Sequence, residues 1–274
     1  MRITFITNPH ACNKNCDICF ARQAPLDWEP IQEMDFAIIE KVVKAFLPLG
    51  LKEIIPSTIG EPFLYSHFED FLELAKKYNL KVNITTNGTF PNGGIKKWAP
   101  LLLPVLSDIK FSAMHGKIPE SVFEFASGKW QVGSGENKHT VTIQATLDEN
   151  DKLDEIPAGV NRIKINKPWI LNNYSPFSIL RSQLNKCKFL KKELWVWVDG
   201  AFQVCPNPDA RFGMRTKFPF GNFGNFAEQE PLEIWNGNAY KRFCENYQEN
   251  SICKNCKMLH PLQSVPLALQ RFQI

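Results

Sequence analysis

The chain has 274 residues, 44% of them hydrophobic and 12% aromatic, a composition typical of a globular protein. The formal net charge of +4 is small and no block of Lys and Arg stands out, so nucleic-acid binding is not expected. No apolar run reaches membrane-spanning length, and only a short one precedes Asn8 at the N-terminus. We therefore expect a cytoplasmic protein that binds no membrane, with one full domain and a smaller appendage.

In chain order, the first two-thirds of the sequence alternate short apolar segments with amphipathic ones. The apolar segments predict strands at residues 2–7, 52–57, 80–85, 106–112, 139–146 and 161–166. The amphipathic segments predict helices at residues 33–48, 66–78, 93–103 and 118–127, with a weak one near 150–156. Strands separated by helices of this length are typical of strand–helix–strand units, and they predict a parallel sheet in an α/β fold.

The alternation ends after Asn166, where a stretch rich in Asn, Pro and aromatic residues begins. Apolar runs at residues 194–198 and 201–204 flank Asp199-Gly200, which is a strong signal for a two-residue hairpin turn. A Gly- and Phe-rich loop follows, and then a helix is predicted over about 230–247. The sequence therefore predicts two domains, residues 1–167 and residues 168–274.

Cys12, Cys16 and Cys19 follow the first predicted strand with the spacing C-x3-C-x2-C. The chain has eight cysteines, which in this context indicate metal binding or catalysis rather than a disulfide scaffold. A cubane iron–sulfur cluster has four irons that each take an outside ligand, so three cysteines leave one iron open. Core thiols on one face of a helix and a zinc site are the alternatives. Pro9 and the polar residues between the cysteines favour a loop over the helix.

This spacing after a first strand resembles the signature of the radical S-adenosylmethionine (SAM) enzymes, although Ile18 stands where that family often has an aromatic residue. The resemblance implies a partial (β/α)6 TIM-like barrel, with which the six predicted strands agree. It also implies a [4Fe–4S] cluster that chelates S-adenosylmethionine at its open iron, reduced by a one-electron donor such as flavodoxin or ferredoxin. In that family the cofactor is cleaved to a 5′-deoxyadenosyl radical, which abstracts a hydrogen atom from a substrate carbon.

Two further segments resemble cofactor-binding segments of the family. Gly60-Glu61-Pro62 follows the second strand, like the Gly-Gly-Glu segment that holds the amino group of the cofactor, with Ile59 in place of the first glycine. Polar residues at the ends of the third and fourth strands are candidates for contacts to the ribose or carboxylate: Thr86, Asn87 and Ser112. The alternatives are a strand-to-helix turn in which Glu61 is solvated and a plain tight turn after the third strand.

The fifth and sixth strands end in polar residues that suit a substrate with hydroxyl, amine or carboxylate groups. They are Gln144, Thr146, Lys164, Asn166 and Lys167. For any single one of them, a solvated residue at the rim of the barrel is the simpler interpretation. The residues that select the substrate are expected on the loops at the carboxyl ends of the strands and in the connector 168–186.

A second set of four cysteines lies in the C-terminal third: Cys187, Cys205, Cys253 and Cys256. Four cysteines close a metal site completely, and taken alone they would favour zinc. Their order with the segments 224–226 and 232–236, however, resembles the twitch domain, a shortened SPASM extension of radical SAM enzymes. That resemblance implies an auxiliary [4Fe–4S] cluster in a small domain of a β-hairpin plus a helix. The cluster would accept an electron from the substrate radical, and a purely structural staple is the alternative.

Cys244 belongs to neither set. It lies in the last predicted helix together with Trp235, Tyr240 and Phe243, which favours a buried core thiol. The alternative is a catalytic role as hydrogen-atom donor, by resemblance to radical epimerases.

Three functions remain open from the sequence. The first is a radical SAM oxidoreductase acting on a small polar metabolite or a peptide side chain, similar to the aminocyclitol dehydrogenases of the family. The second is a peptide-modifying radical SAM enzyme that epimerises or cross-links its substrate. Such enzymes often have a leader-binding domain before the barrel, whereas the first strand here begins at Arg2. The third is a zinc-stabilised binding module without catalysis.

Overall fold

The structure is a computed structural model that describes residues 1–23, 29–57, 59–127, 139–166, 187, 190–205, 218, 220–250 and 253. Within this part of the chain, one eight-stranded sheet forms the centre of the fold. The strands are β1 (Arg2–Phe5), β2 (Glu53–Pro56), β3 (Lys81–Thr86), β4 (Leu106–Met114), β5 (Thr140–Thr146), β6 (Arg162–Asn166), β7 (Glu193–Val196) and β8 (Phe202–Gln203).

The strands lie in the order β6-β5-β4-β3-β2-β1-β7-β8. All neighbouring pairs from β6 to β7 are parallel, and only β8 runs antiparallel to its neighbour β7. The loops that follow the parallel strands therefore meet at one edge, called here the carboxyl edge. The α/β fold class and the partial TIM-like barrel are confirmed.

Seven α-helices are assigned in the described residues: α1 (Phe20–Gln23), α2 (Phe36–Phe46), α3 (Phe68–Lys77), α4 (Gly94–Leu102), α5 (Ser121–Ala126), α6 (Pro231–Trp235) and α7 (Asn238–Asn246). In α2, the Asp35 carboxylate accepts a hydrogen bond from Ala37 N and so caps the first turn. The buried residues of this helix recur at helical spacing: Ile39, Val42, Val43 and Phe46. The predicted helices at 33–48, 66–78, 93–103 and 118–127 all form, with ends shifted by a few residues.

The main core lies between the helices and one face of the sheet. Phe63 is in edge contact with Phe68 and Trp98, and Phe111 packs against Phe125 in the same layer. Such aromatic pairs fix the helices on the sheet, since each ring buries a large apolar area. The opposite face of β3–β5 is lined mostly by half-buried polar side chains, because side chains alternate between the faces of a strand.

The helix predicted at 150–156 is wrong, because this segment forms no regular structure. Asp151 and Asp154 direct their carboxylates to groups outside the segment, to His115 and to the backbone N–H of Ile118. The backbone N–H of Asp154 also donates to the carbonyl of Gly116. Contacts to the loop after β4 therefore replace the hydrogen bonds that a helix would need.

The helix predicted at 230–247 is two helices, α6 and α7, separated at Asn236-Gly237. The predicted hairpin forms as β7 and β8, and it is continuous with the sheet because β7 pairs with β1 from Arg2↔Glu193 to Phe5↔Val196. The proposed domain boundary near 168 lies outside the described residues and stays a prediction. None of the helices in the described part has the length and apolar character needed to span a membrane.

Candidate functional site

The cysteine loop, residues 8–19, leaves β1 at the carboxyl edge of the sheet. Cys12 is exposed, and Cys16 and Cys19 are half-buried. The backbone N–H of Cys19 donates to Cys16 O at 3.3 Å, and that of Arg22 donates to Cys19 O at 3.0 Å, where α1 begins. The predicted loop conformation between the cysteines is thus present, and the interpretation as one face of a continuous helix is wrong.

Gly60 lets the loop after β2 approach the cysteine loop closely. Its φ is +85°, in the left-handed region, and a Cβ built on it would lie 2.3 Å from Asn8 O and 2.7 Å from Ala11 O. The next backbone N–H, of Glu61, donates to Ala11 O at 2.7 Å, and the Asn8 side chain donates to Glu61 O at 2.8 Å. Only glycine fits here, so the Gly60-Glu61-Pro62 segment supports the backbone of the cysteine loop.

The Glu61 carboxylate is buried and joins β2 to β3. Thr86 Oγ1 donates to Oε1 at 2.8 Å, and the backbone N–H of Asn87 donates to Oε2 at 2.7 Å. Oε1 also accepts from the N–H of Phe63, at the start of a 3₁₀ helix that begins with Pro62. Glu61 is 1% exposed, so the alternative of a solvated Glu61 is wrong. Burial raises the pKa of this carboxyl to about 7, although its hydrogen bonds act in the opposite direction.

Asn87 lies at the Cys12 end of the cysteine loop. Its Nδ2 donates to Asn13 Oδ1 at 2.9 Å and lies 3.7 Å from Cys12 Sγ. Asn13 Nδ2 in turn donates to Thr89 Oγ1 at 2.9 Å. We call Asn13, Asn87 and Thr89 the Asn87 anchor, because together they tie the first half of the cysteine loop to the end of β3.

The donor set of the cysteine loop fits an iron–sulfur cluster. Burial and the neighbouring thiols of Cys19 and Cys12 raise the pKa of Cys16, so the three thiols interact electrostatically. A cubane cluster binds each cysteine through a different iron. Cys12, Cys16 and Cys19 would therefore hold such a cluster, leaving one iron for S-adenosylmethionine.

The polar residues predicted on β4–β6 share one row of the sheet. Ser112 pairs with Gln144, and Gln144 pairs with Lys164, so all three lie at the same level on the polar face. Among the described residues, the Ser112 and Gln144 side chains form no hydrogen bond, and both are half-buried. Thr146 and Asn166 form the next pair toward the carboxyl edge. Lys167 lies outside the described residues.

The charged side chains in the two rows below, Asp108, Lys110 and Arg162, are paired with each other. Lys110 Nζ lies 3.0 Å from Asp108 Oδ2 and also contacts Asn83 Oδ1. Asp108 accepts a hydrogen bond from Thr142 Oγ1 at 2.9 Å, and Arg162 lies 3.8 Å from its other oxygen. The polar face therefore has two neutral groups, Ser112 and Gln144, and the charged Lys164 in one row, above paired charges.

The second cysteine set lies at the open end of the hairpin. Cys187 precedes β7 and Cys205 follows β8, so both lie away from the turn that reaches the carboxyl edge. The backbone N–H of Cys187 donates to the Tyr247 hydroxyl at 3.0 Å, and Cys205 and Cys253 both pack against the core. Cys256 lies outside the described residues. Cys187 and Cys205 thus flank the hairpin at the end opposite its turn.

Cys244 lies on the side of the second cysteine set. Burial raises its pKa, while the hydrogen bond with Tyr240 and the charge of Lys191 lower it and the neighbouring Cys187 raises it further. The thiol packs half-buried against the core. It is therefore placed beside Tyr240 and Cys187, and the structure does not bring it to the cysteine loop.

The sequence interpretation missed a histidine that contacts the cysteine loop. His115, which follows β4, has one ring nitrogen 2.8 Å from Asp17 Oδ1 and the other 2.9 Å from Asp151 Oδ2. Asp17 lies inside the cysteine motif itself. The available signal was the position of His115 directly after a predicted strand, at the edge where parallel sheets place functional groups.

Two family models match the chain. The model of the radical SAM superfamily matches residues 9–116, and the SPASM model, an iron–sulfur cluster-binding domain, matches residues 187–257. The chain therefore contains a radical SAM domain followed by a SPASM-type domain, and its cofactors are [4Fe–4S] clusters and S-adenosylmethionine. These matches favour iron over zinc in both cysteine sets and give no support to a zinc-stabilised binding module. No curated protein sequence matches the chain.

Several solved structures share the fold. BtrN in complex with AdoMet and 2-DOIA is 22% identical, over 93% of this chain and 92% of that chain, with a TM-score of 0.59. SuiB of Streptococcus suis bound to the precursor peptide SuiA is 14% identical, over 94% of this chain and 70% of that chain, with a TM-score of 0.61. The structure of anSMEcpe with bound AdoMet is 14% identical, over 89% of this chain and 79% of that chain, with a TM-score of 0.58. At these identities the likeness shows the fold alone.

Proposed function

We propose that the protein is a dehydrogenase-like radical SAM oxidoreductase that acts on a small polar metabolite with hydroxyl groups. The observation that carries this proposal is the position of the cysteine loop on the same sheet edge as the Ser112–Gln144 row. A radical formed at the cysteine loop would act on a molecule bound at that row. The resemblance to aminocyclitol dehydrogenases and the single four-cysteine auxiliary set agree with this substrate class.

The residues of the cysteine loop would bind and orient the cofactors. Cys12, Cys16 and Cys19 would ligate the first cluster, and Gly60, Asn87 and neighbouring backbone groups would lie beside the bound S-adenosylmethionine. When bound, these cofactors supply a 5′-deoxyadenosyl radical that abstracts a hydrogen atom. Glu61 and Thr86 bind each other, so we infer that their side chains hold the strand ends in place rather than contact the cofactor.

The polar face would bind the substrate through the side chains of Ser112 and Gln144. The Ser112 hydroxyl and the Gln144 amide can both donate and accept hydrogen bonds, as alcohols require. Their half-buried position strengthens such bonds, because a polar group removed from water and left unpaired is costly. The charged groups below them are paired with each other, and Lys164 continues the same row on β6.

The second cysteine set would remove the remaining electron. Oxidation of an alcohol to a ketone removes one hydrogen atom from carbon, which the 5′-deoxyadenosyl radical takes, then one proton and one electron. We propose that the auxiliary cluster held by Cys187, Cys205, Cys253 and Cys256 accepts that electron and that solvent accepts the proton.

The test uses the full chain reconstituted with iron and sulfide without oxygen. Reduction with dithionite in the presence of S-adenosylmethionine should release 5′-deoxyadenosine, and aminocyclitols or sugars should increase its yield and lose two hydrogen atoms. Cys12→Ala should abolish 5′-deoxyadenosine formation, whereas Cys205→Ala should retain it and lose the oxidised product. A protein that forms no 5′-deoxyadenosine would contradict the proposal.

The isotopic outcome separates oxidation from epimerisation. If the protein reacts only with peptides and incorporates solvent deuterium at a product carbon, it is an epimerase and the oxidoreductase proposal is wrong. Loss of that deuterium in Cys244→Ser would identify the hydrogen donor. The location of Cys244 beside Cys187, away from the cysteine loop, favours the oxidoreductase.

A further inference from the structure

The cysteine loop has a second side-chain connection, centred on His115. Nε2 of His115 lies 2.8 Å from Asp17 Oδ1, and Nδ1 lies 2.9 Å from Asp151 Oδ2. Ionised carboxylate oxygens only accept hydrogen bonds, so each of these contacts needs a proton on the ring nitrogen. The geometry therefore calls for an imidazolium between two carboxylates. We call Asp17, His115 and Asp151 the His115 bridge.

Both ends of the His115 bridge are held by backbone groups as well. Asp17 Oδ1 accepts from the N–H of Ile18 at 2.8 Å, within the segment that separates Cys16 from Cys19. Asp151 Oδ2 accepts from the N–H of Asp148 at 2.6 Å, in the loop after β5. The bridge therefore joins the loops that follow β1, β4 and β5 at the carboxyl edge.

The backbone around His115 is shaped to make this connection. His115 has a φ of +53° and is followed by Gly116 at +73°, so the chain turns sharply at the end of β4. A Cβ at Gly116 would lie 2.2 Å from Lys152 O, which shows how closely this turn fits the segment containing Asp151. A non-glycine residue keeps a left-handed conformation only where its surroundings hold it there, and such residues cluster at functional sites.

We propose that His115 is a positioning residue that fixes the Cys16–Cys19 half of the cysteine loop by holding Asp17 against the ends of β4 and β5. The Asn87 anchor already fixes the Cys12 half, so the two connections together would fix all three cluster-binding thiols. Without the His115 ring, Asp17 would lose its side-chain connection to the ends of β4 and β5. The segment between Cys16 and Cys19 would then be less restrained.

The test measures amide hydrogen exchange by mass spectrometry on the reconstituted full chain, without oxygen. In His115→Gln, exchange should rise severalfold in the cysteine loop and in residues 148–154. Asp151→Asn changes no residue of the cysteine loop, and in this variant we expect a smaller rise in the hydrogen exchange of that loop. His67→Gln is the matched control, because His67 Nδ1 also lies 2.9 Å from an aspartate, Asp70, but at the start of α3. That variant should leave the exchange of the cysteine loop as it is in the parent chain.

A second measurement separates positioning from direct cofactor contact. The electron paramagnetic resonance spectrum of the reduced first cluster should respond less to added S-adenosylmethionine in His115→Gln and Asp151→Asn than in the parent chain. If His115→Gln weakens cofactor binding while exchange in the cysteine loop stays unchanged, His115 contacts the cofactor itself and the proposal is wrong. If His115→Gln does not fold, the Asp151→Asn variant decides the question. A rise in hydrogen exchange that is confined to residues 148–154 in that variant would overturn the proposal.

Discussion

Glu61 makes the stability of the protein depend on pH near neutrality. Burial raises the pKa of its carboxyl from 4.5 to about 7, so between these values the folded chain binds a proton that the unfolded chain lacks. The free energy of unfolding should therefore fall as the pH rises from about 4.5 to about 7, by about 3 kcal/mol at most. Urea unfolding without oxygen at several pH values should show this slope, and it should be smaller in Glu61→Gln. Equal slopes in the parent and the variant would contradict the assignment.

Gly60 offers a sharper test of how the cysteine loop is supported. Gly60→Ala places a methyl group against the carbonyl oxygens of Asn8 and Ala11, so the cysteine loop must move and the iron content should fall toward about four per chain. Gly50→Ala is the control, because Gly50 has a similar φ of +80° but no atom within 4 Å of the added Cβ. Both substitutions strain the backbone, and only the first displaces the cysteine loop. Iron and 5′-deoxyadenosine assays on the two variants separate these effects.

At the scale of single elements, β7 is fixed to the rest of the carboxyl edge by Trp197 and Glu29. Trp197 Nε1 donates to Glu29 Oε2 at 2.7 Å, and Glu29 is only 4% exposed. Trp197→Phe would remove a donor from a buried carboxylate and should lower the free energy of unfolding by about 1–3 kcal/mol. Trp98→Phe is the matched control, because the Trp98 indole donates to a neutral carbonyl, Pro91 O. Urea unfolding should show the larger loss for Trp197→Phe.

Element type was predictable from the sequence where a pattern is local. The strands β1–β6 follow from apolar runs, and the hairpin follows from Asp199-Gly200 between two such runs. The failure at 150–156 has a specific cause, because side chains of that segment bond to the loop after β4 and no local pattern encodes such a contact. The pairing of β7 with β1 was also missed, since periodicity predicts strands but not their distant partners.

In the candidate site, too, the sequence predicted what depends on local spacing and missed what depends on contacts between distant residues. The cysteine spacing indicated the cluster loop, but the role of Glu61 depends on its burial and on Thr86 across the sheet. The His115 bridge joins residues 98 and 36 positions apart, and no spacing rule relates them.

For the whole molecule, the iron content reports on the two cysteine sets. The reconstituted parent should hold about eight irons per chain, since each cubane contains four. Cys205→Ala should lose about four irons, while Cys244→Ser, which changes a cysteine outside both sets, should keep about eight. Broad visible absorption should decrease in parallel with the iron in Cys205→Ala. An unchanged iron content in Cys205→Ala would remove Cys205 from the second set.

The parallel pairing of β1 with β7 has a consequence for the order of folding during synthesis. Arg2 and Glu193, which form hydrogen bonds across this pair, are separated by 191 positions. The ribosome therefore makes β1 first and completes its partner strand only after most of the chain has emerged. Until then β1 has an unpaired side, which is a site at which another nascent chain can add a strand. Such a distant pairing also forms slowly, so aggregation during expression should begin at this side of β1.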